Sequence, residues 1–136
     1  MTTIAEVRED MATVLRNLEG WSVASGYIGD MVNTYSLKIG RPAFDPRMVF
    51  QQAKAVHQFT VAAYAPRATP EVSEAALDAL CELTGSGSLI ATVQNGANWT
   101  ASIDYAVVTN CGEVQVITWI DGVDYLAVQF TIEVCF

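Results

Sequence analysis

Apolar residues recur along this chain with two different periods, and the period indicates which segments are helices and which are strands. Near the N-terminus, apolar side chains lie three or four positions apart, as on one face of an α-helix. This apolar stripe consists of Ile4, Val7, Met11, Val14 and Leu18. Thr3 and Glu6 have the spacing of a capping box, and Gly20 is a suitable stop. We therefore predict a helix over residues 3–18.

Three segments before residue 65 instead alternate with the period of two that is typical of strands. They are residues 21–28, 34–39 and 56–64, and the last places Phe59, Val61 and Ala63 on one face. Residues 40–52, which precede the third strand, contain two X-Pro pairs that break regular structure. This segment is predicted to be either a loop folded back on the core or an exposed arm that buries itself in a partner.

The strongest helix signals lie at residues 70–83. Thr69 can cap this helix, Pro70 suits its first position, and early glutamates favour its positive end. Its buried side is expected to consist of Val72, Ala76, Leu80 and Leu83.

A short second helix is predicted directly after a glycine- and serine-rich connection. It runs from Leu89 to about Asn95, with Ser88 as its cap and Gly96 as its end. The same connection could cradle an anion, but it lacks the lysine of a P-loop, so a helix-to-helix link is the better interpretation.

The last third of the chain is predicted to be a β-meander of three strands. In the first strand Ile103, Tyr105 and Val107 share a face, and the second is lined by Val114, Val116 and Ile120. Asp121-Gly122 is a strong hairpin turn. The final strand has apolar side chains at every even position from 126 to 136. One face is therefore expected to be buried, and the other solvated or paired with something polar.

Strands interrupted by helices and joined by hairpins indicate the α+β class. We expect one domain over residues 1–136, with an antiparallel or mixed sheet and with the N-terminal helix and the central helix pair on one face. A hydrophobic content of 51% is that of a chain with a packed core. We expect the chain to remain in the cytoplasm, because acidic residues stand where an export signal needs positive ones. No stretch is long and apolar enough for a membrane helix.

Charge is distributed unevenly along the chain. The net charge is −8, which argues against nucleic acid as a partner. All seven Lys and Arg residues lie at or before Arg67, and nine acidic residues follow it. Either the acidic second half of the chain forms a well-solvated surface, or the basic middle of one copy meets the acidic half of another.

Candidate catalytic groups are few. Cys81, Cys111 and Cys135 are too widely spaced for a disulfide framework or a zinc site, so three buried thiols are expected. His57 is the only histidine, and no partner set can be proposed for it from spacing. Asp121 and Asp124 are expected to serve the turn. The sequence predicts no catalytic, cofactor-binding or metal site.

Five segments together resemble a known family. They are residues 4–9 (IAEVRE), 59–68 (FTVAAYAPRA), the helix of residues 71–83 with ALDAL at 76–80, residues 87–91 (GSLIA) and residues 120–134 (IDGVDYLAVQFTIEV). In this layout the chain resembles the small neck proteins of long-tailed phages that infect actinobacteria, in particular the tail terminators. The resemblance extends over about residues 3–134 and is weakest over residues 40–55.

The resemblance implies a structural protein that is not an enzyme and needs no cofactor. Tail terminators form a six-membered ring on the finished tail tube, where the ring stops tube growth and presents the surface that joins the head. The implied partners are further copies of the chain, the tail tube protein and a head-completion or connector protein. DNA would pass through the lumen without sequence-specific binding, and the protein would belong to the virion neck after assembly in the host cytoplasm.

Ring closure needs two different patches on each copy. We predict that Arg41, Phe44, Arg47 and Phe50 reach a neighbouring subunit, and that the lumen is acidic. Another neck or tail component, such as a head-closure or tube protein, is the alternative within this class. An α+β domain that binds a small molecule in a cleft is the alternative from a different class.

Overall fold

The computed structural model describes residues 3–24, 35–40, 42–43, 49–50, 54–67, 70–118, 122 and 124–136. Its helices are α1 (Ile4–Leu15), α2 (Pro70–Leu80) and α3 (Leu89–Gln94), followed by a short 3-10 helix (Gly96–Asn98). Its strands are β1 (Ser22–Ala24), β2 (Ser36–Ile39), β3 (Val49–Phe50), β4 (Lys54–Pro66), β5 (Tyr105–Cys111), β6 (Gln115–Thr118) and β7 (Asp124–Cys135).

The main sheet is mixed and has the strand order β1-β2-β4-β7-β5. β1 pairs with β2 in parallel, and the remaining pairs are antiparallel. β4 and β7 form the centre of the sheet and pair continuously from Val56–Cys135 to Pro66–Tyr125. β3 pairs with the start of β4, and β6 pairs with the start of β7. The predicted α+β class is confirmed.

One hydrophobic core joins all three helices to a single face of the sheet. β4 contributes Phe59, Val61 and Ala63, as predicted, and β7 contributes its even-numbered residues from Leu126 to Val134. The helices supply Val7, Met11, Val14, Leu15, Leu77, Leu80, Leu89 and Val93. The prediction that the N-terminal helix and the central helix pair pack on one face is therefore confirmed.

α1 begins as its sequence predicts, because both hydrogen bonds of the capping box are present. The Glu6 amide donates to Thr3 Oγ1 at 3.2 Å, and the Thr3 amide donates to Glu6 Oε2 at 3.1 Å. α3 likewise begins at its predicted cap, where the Ala91 amide donates to Ser88 Oγ at 3.1 Å. These caps satisfy backbone donors that a helix cannot satisfy itself, so they fix where each helix starts.

The predicted buried side of α2 is correct at Leu80, half-buried at Ala76, and wrong at Val72 and Leu83. Val72 is 62% exposed and Leu83, which follows the end of the helix, is 77% exposed. The buried side consists of Ser73, Leu77 and Leu80. Ser73 belongs there because its hydroxyl donates to the carbonyl of Pro66 at 2.5 Å, which joins the first turn of α2 to the end of β4.

The predicted three-strand meander is also wrong. β5 and β6 both pair with β7 and follow one another along the same side of it, so they form one interrupted strand. We call residues 105–118 the outer arm. Its register against β7 shifts by one residue between Val108 and Asn110. It shifts again between Cys111 and Gln115, where four steps of the outer arm match three steps of β7. The chain therefore ends in a long hairpin with two irregularities.

The sheet face that lies away from the helices is not simply solvated. Tyr125 and Ala127 of β7 are buried there with Ala62 and Tyr64 of β4, and Ile117 of the outer arm packs against them. Burial raises the pKa of the Tyr64 hydroxyl. The expectation of a polar second face on the final strand is thus wrong at this end. Gly122 has a φ of +81°, which suits the predicted turn, while Asp121 lies outside the described residues.

Candidate functional site

His57 has the structural role predicted for it. It is 5% exposed, its Nδ1–H donates to the carbonyl of Ala55 at 3.2 Å, and its ring stacks on Phe136 at 4.0 Å. Burial lowers the pKa of His57, although the hydrogen bond to Ala55 partly opposes this. Within the described residues, no group of three or more His, Cys, Asp or Glu side chains is placed to hold a metal ion.

Asp124 serves the terminal hairpin, as its position predicts. Its carboxylate accepts from Thr118 Oγ1 at 2.6 Å and from Arg67 Nη1 at 2.8 Å. These two hydrogen bonds lower the pKa of Asp124. Arg67 is the last basic residue of the chain, so this ion pair joins the basic and acidic parts of the sequence.

Asp10 forms a buried polar contact that the sequence analysis missed. It lies on α1 outside the predicted apolar stripe, yet it is only 8% exposed. Its carboxylate accepts from the amides of Thr100 at 2.9 Å and Ala101 at 3.0 Å, and from the Thr100 hydroxyl at 2.5 Å. These donors lie about ninety residues away in the sequence, so Asp10 anchors the segment that leads into the outer arm.

The cysteines depart from the prediction of three buried thiols. Cys135 is buried, but Cys81 and Cys111 are each half-buried, and their sulfur atoms lie 2.8 Å apart. All three are free thiols. Burial, with smaller contributions from the Cys111 thiol, Asp78 and Glu82, raises the pKa of Cys81 to about 12.

The outer arm is the part of the described structure best suited to contact another molecule. Within the described residues no strand pairs with its outward side. It also carries four of the six exposed large apolar side chains of the described structure: Tyr105, Val107, Val114 and Val116. An open strand edge with exposed β-branched side chains is a ready template for pairing with a further chain.

The two halves of the outer arm differ in how they are covered. Beside β5 lies α3, and its Gln94 Oε1 accepts from the amide of Val108 at 3.2 Å. That contact satisfies a backbone donor of β5 that would otherwise face outward. An open groove of about 510 Å³ runs between α3 and β5, with Trp99, Ile103 and Tyr105 in its lining. The edge is therefore most open along β6 and the Glu113-Val114 segment before it.

Carboxylates lie beside three of these four apolar side chains. Glu113 and Asp104 are exposed at the two ends of β5, and Glu133 lies opposite Val107. The Tyr105 hydroxyl donates to Glu133 Oε2 at 3.0 Å. Partial desolvation, that hydrogen bond and the nearby negative charges raise the pKa of Tyr105. The outer arm thus combines exposed apolar side chains towards both of its ends with carboxylates next to them.

The residues predicted to contact a neighbour cannot be placed beside this surface. Arg41, Phe44 and Arg47 lie outside the described residues. Phe50 is described by its backbone only, which pairs with Lys54 where β3 meets β4. Their role as an interface stays a prediction.

Sequence reasoning missed the outer arm as a surface because it assigned Val114 and Val116 to a covered middle strand. The sequence does contain a signal for the interruption. Gly112-Glu113 stands between two alternating runs, and a glycine inside a strand pattern often marks an irregularity. Here the Gly112 amide still donates to the carbonyl of Gln129 at 2.8 Å, so the outer arm stays attached to β7 across the break.

Comparison with known proteins gives no family for this chain: no protein-family profile and no curated protein sequence matches it. Among the described residues, no helix is both long and apolar enough to cross a membrane.

Proposed function

We propose that this chain is a non-enzymatic structural protein of a long-tailed phage that assembles with its own copies into a ring. The resemblance to tail terminators implies six copies in that ring. The ring would sit on the head-proximal end of the tail tube, end tube polymerisation and provide the surface that joins the head. The observation that carries the proposal is the open outer arm, with apolar side chains bordered by carboxylates. The resemblance of the sequence to tail terminators adds the place in the virion.

A head-to-tail contact joins two different patches of neighbouring copies. The outer arm provides one patch, in which Val114 and Val116 are exposed beside Glu113. The basic middle of the sequence, with Arg41 and Arg47, provides the other by charge complementarity. Burial of the valines would supply affinity, and the charges would set the orientation of the contact.

The test is the mass of the purified protein by native mass spectrometry over a range of concentrations, with electron micrographs of the same samples. We expect a closed ring of about six copies, or a monomer that forms such a ring when tail tubes are added.

Val116→Lys should prevent assembly, because it places a flexible charge on the open edge.

A matched control separates this effect from a general effect of a new lysine. Val72 on α2 is 62% exposed and Val116 is 53% exposed, so Val72→Lys makes the same change at a similar exposure away from the outer arm. It should assemble as the wild type does. Charge reversal at Arg41 and Arg47 tests the other patch. If Val116→Lys and the charge-reversal variant both assembled and capped tubes as Val72→Lys does, the proposed contact would be wrong.

The groove between α3 and β5 favours one alternative, a domain that binds a small molecule. Its lining combines aromatic side chains (Trp99 and Tyr105) with polar ones (Gln94 and Asp104), and it is large enough for a small ligand. That reading predicts a monomer or dimer that does not cap tail tubes and that a ligand stabilises against heat. A head-closure or tube protein would assemble but would occupy a different position in the virion.

A further inference from the structure

Cys81 and Cys111 are brought together by two separate backbone elements. Cys81 directly follows α2, and its amide donates to the carbonyls of Leu77 at 3.2 Å and Asp78 at 3.1 Å. Cys111 ends β5 and is paired with Phe130 of β7. Both backbone positions are thus held by hydrogen bonds. The 2.8 Å between the two sulfur atoms is set by the fold rather than by a free chain end.

We propose that Cys81 and Cys111 form an oxidation site, at which a two-electron oxidant such as a peroxide converts the thiol pair to an intramolecular disulfide. The sulfur atoms need to approach by only about 0.8 Å to reach the usual S–S bond length. Both side chains are half-buried, so a small oxidant can reach them. This site is independent of the proposed role in a phage tail.

The chemistry balances with hydrogen peroxide as the oxidant. One sulfur, as its thiolate, attacks a peroxide oxygen; the O–O bond breaks, water leaves and a sulfenic acid forms. The second thiol attacks that sulfur, the S–S bond forms, the S–O bond breaks and a second water leaves. The pair loses two electrons to the peroxide, and both thiol protons end in water.

Cys135 cannot replace either member of the pair. It pairs with Tyr105, and its side chain lies on the sheet face away from the helices, whereas Cys111 pairs with the core residue Phe130 and packs against the core. The Cys135 thiol donates to Asp104 Oδ2 at 3.8 Å. The structure therefore assigns one particular pair among the three that three cysteines allow.

The raised pKa of Cys81 predicts slow reaction with air at neutral pH, since the thiolate is the reactive form. The expected behaviour is a pair of thiols that becomes a disulfide when hydrogen peroxide is added. The rate should increase as pH is raised, because more thiolate is then present.

The experiment treats the intact protein with hydrogen peroxide, alkylates the remaining thiols and maps the link by mass spectrometry. Trypsin is unsuitable, because no Lys or Arg follows Arg67 and all three cysteines would remain in one peptide. Cleavage after glutamate places Cys81 in residues 75–82, Cys111 in 83–113 and Cys135 in 134–136. We expect residues 75–82 and 83–113 to be joined, with the loss of two hydrogen atoms, and Cys135 to be alkylated.

Variants and a second readout complete the test. Cys135→Ala should give the same link, and Cys111→Ser should give none. The oxidised wild type should melt higher than the reduced form by on the order of 5–10 °C, and a thiol reductant should reverse this. Alkylation of both Cys81 and Cys111 after oxidant, or a link through Cys135, would overturn the assignment. The mapping uses only the wild type, so it decides the question even if Cys111→Ser fails to fold.

Discussion

Single polar residues fix the geometry of this fold through contacts between segments that are distant in the sequence. Asp10 anchors the segment before the outer arm, Ser73 joins α2 to β4, and Asp124 holds Arg67 at the terminal hairpin. Each partner is at least seven residues away in the sequence. Local sequence patterns therefore could not reveal these contacts, because the patterns report on neighbours within one element.

His57 should make the stability of the protein depend on pH. Its pKa is lowered in the folded state, so the unfolded chain takes up a proton first as pH falls. The stability is then fully present above the unfolded pKa of about 6.5 and decreases below it. We expect the urea midpoint to fall between pH 7 and pH 5.5, a range in which carboxylates are still charged.

His57→Phe is the matching variant, because it removes the titrating ring while keeping an aromatic face for Phe136. Since the chain has one histidine, this variant should have a nearly constant urea midpoint over the same range. An unchanged pH dependence would show that another group is responsible.

At the scale of elements, the sequence predicted most of what is determined locally. The caps of α1 and α3 were correct because a capping side chain and its amide lie within three residues. The inward face of β4 was correct because Phe59, Val61 and Ala63 recur at the strand period of two. The face of α2 was wrong because two stripes fit a helical period equally well. A polar residue, Ser73, occupies the buried one, and only the carbonyl of Pro66 explains it.

The orientation of α2 can be tested by truncating one residue on each stripe. Leu77 is 1% exposed, so Leu77→Ala should lower the free energy of unfolding by about 2–5 kcal/mol. Val72→Ala should change it by less than about 0.5 kcal/mol, since Val72 is mostly in solvent. Chemical denaturation of the monomeric protein measures both. If Val72→Ala lowered the free energy of unfolding more than Leu77→Ala does, the originally predicted orientation of α2 would be the correct one.

The candidate surface was less predictable than the elements. Whether Val114 and Val116 are covered depends on how many strands lie beyond β6, and strand order is a property of the assembled sheet. The contact between Cys81 and Cys111 is similar, because it requires α2 to pack on the core beside the end of β5. Neither the exposure of these valines nor the contact of these cysteines can be inferred from residue spacing along the chain.

At the scale of the whole molecule, charge segregation gives the proposed assembly a salt dependence. If the basic middle of one copy meets the carboxylates around the outer arm of the next, added salt should screen that attraction. We expect the assembled fraction to decrease from low to high ionic strength, as measured by sedimentation velocity. An assembled fraction that rises with salt would instead indicate a contact governed by the exposed valines alone.

The interrupted outer arm also bears on how this protein can vary in length. A strand that gains one residue normally exchanges its two faces from that point onward. The outer arm already contains two additional residues relative to β7, and each is absorbed where the register shifts. Ile117 therefore returns to the face of Tyr105 and Val107, despite the break between them. Insertions and deletions within residues 109–114 can thus be absorbed at these irregularities, and the pairing of the central strands β4 and β7 need not change.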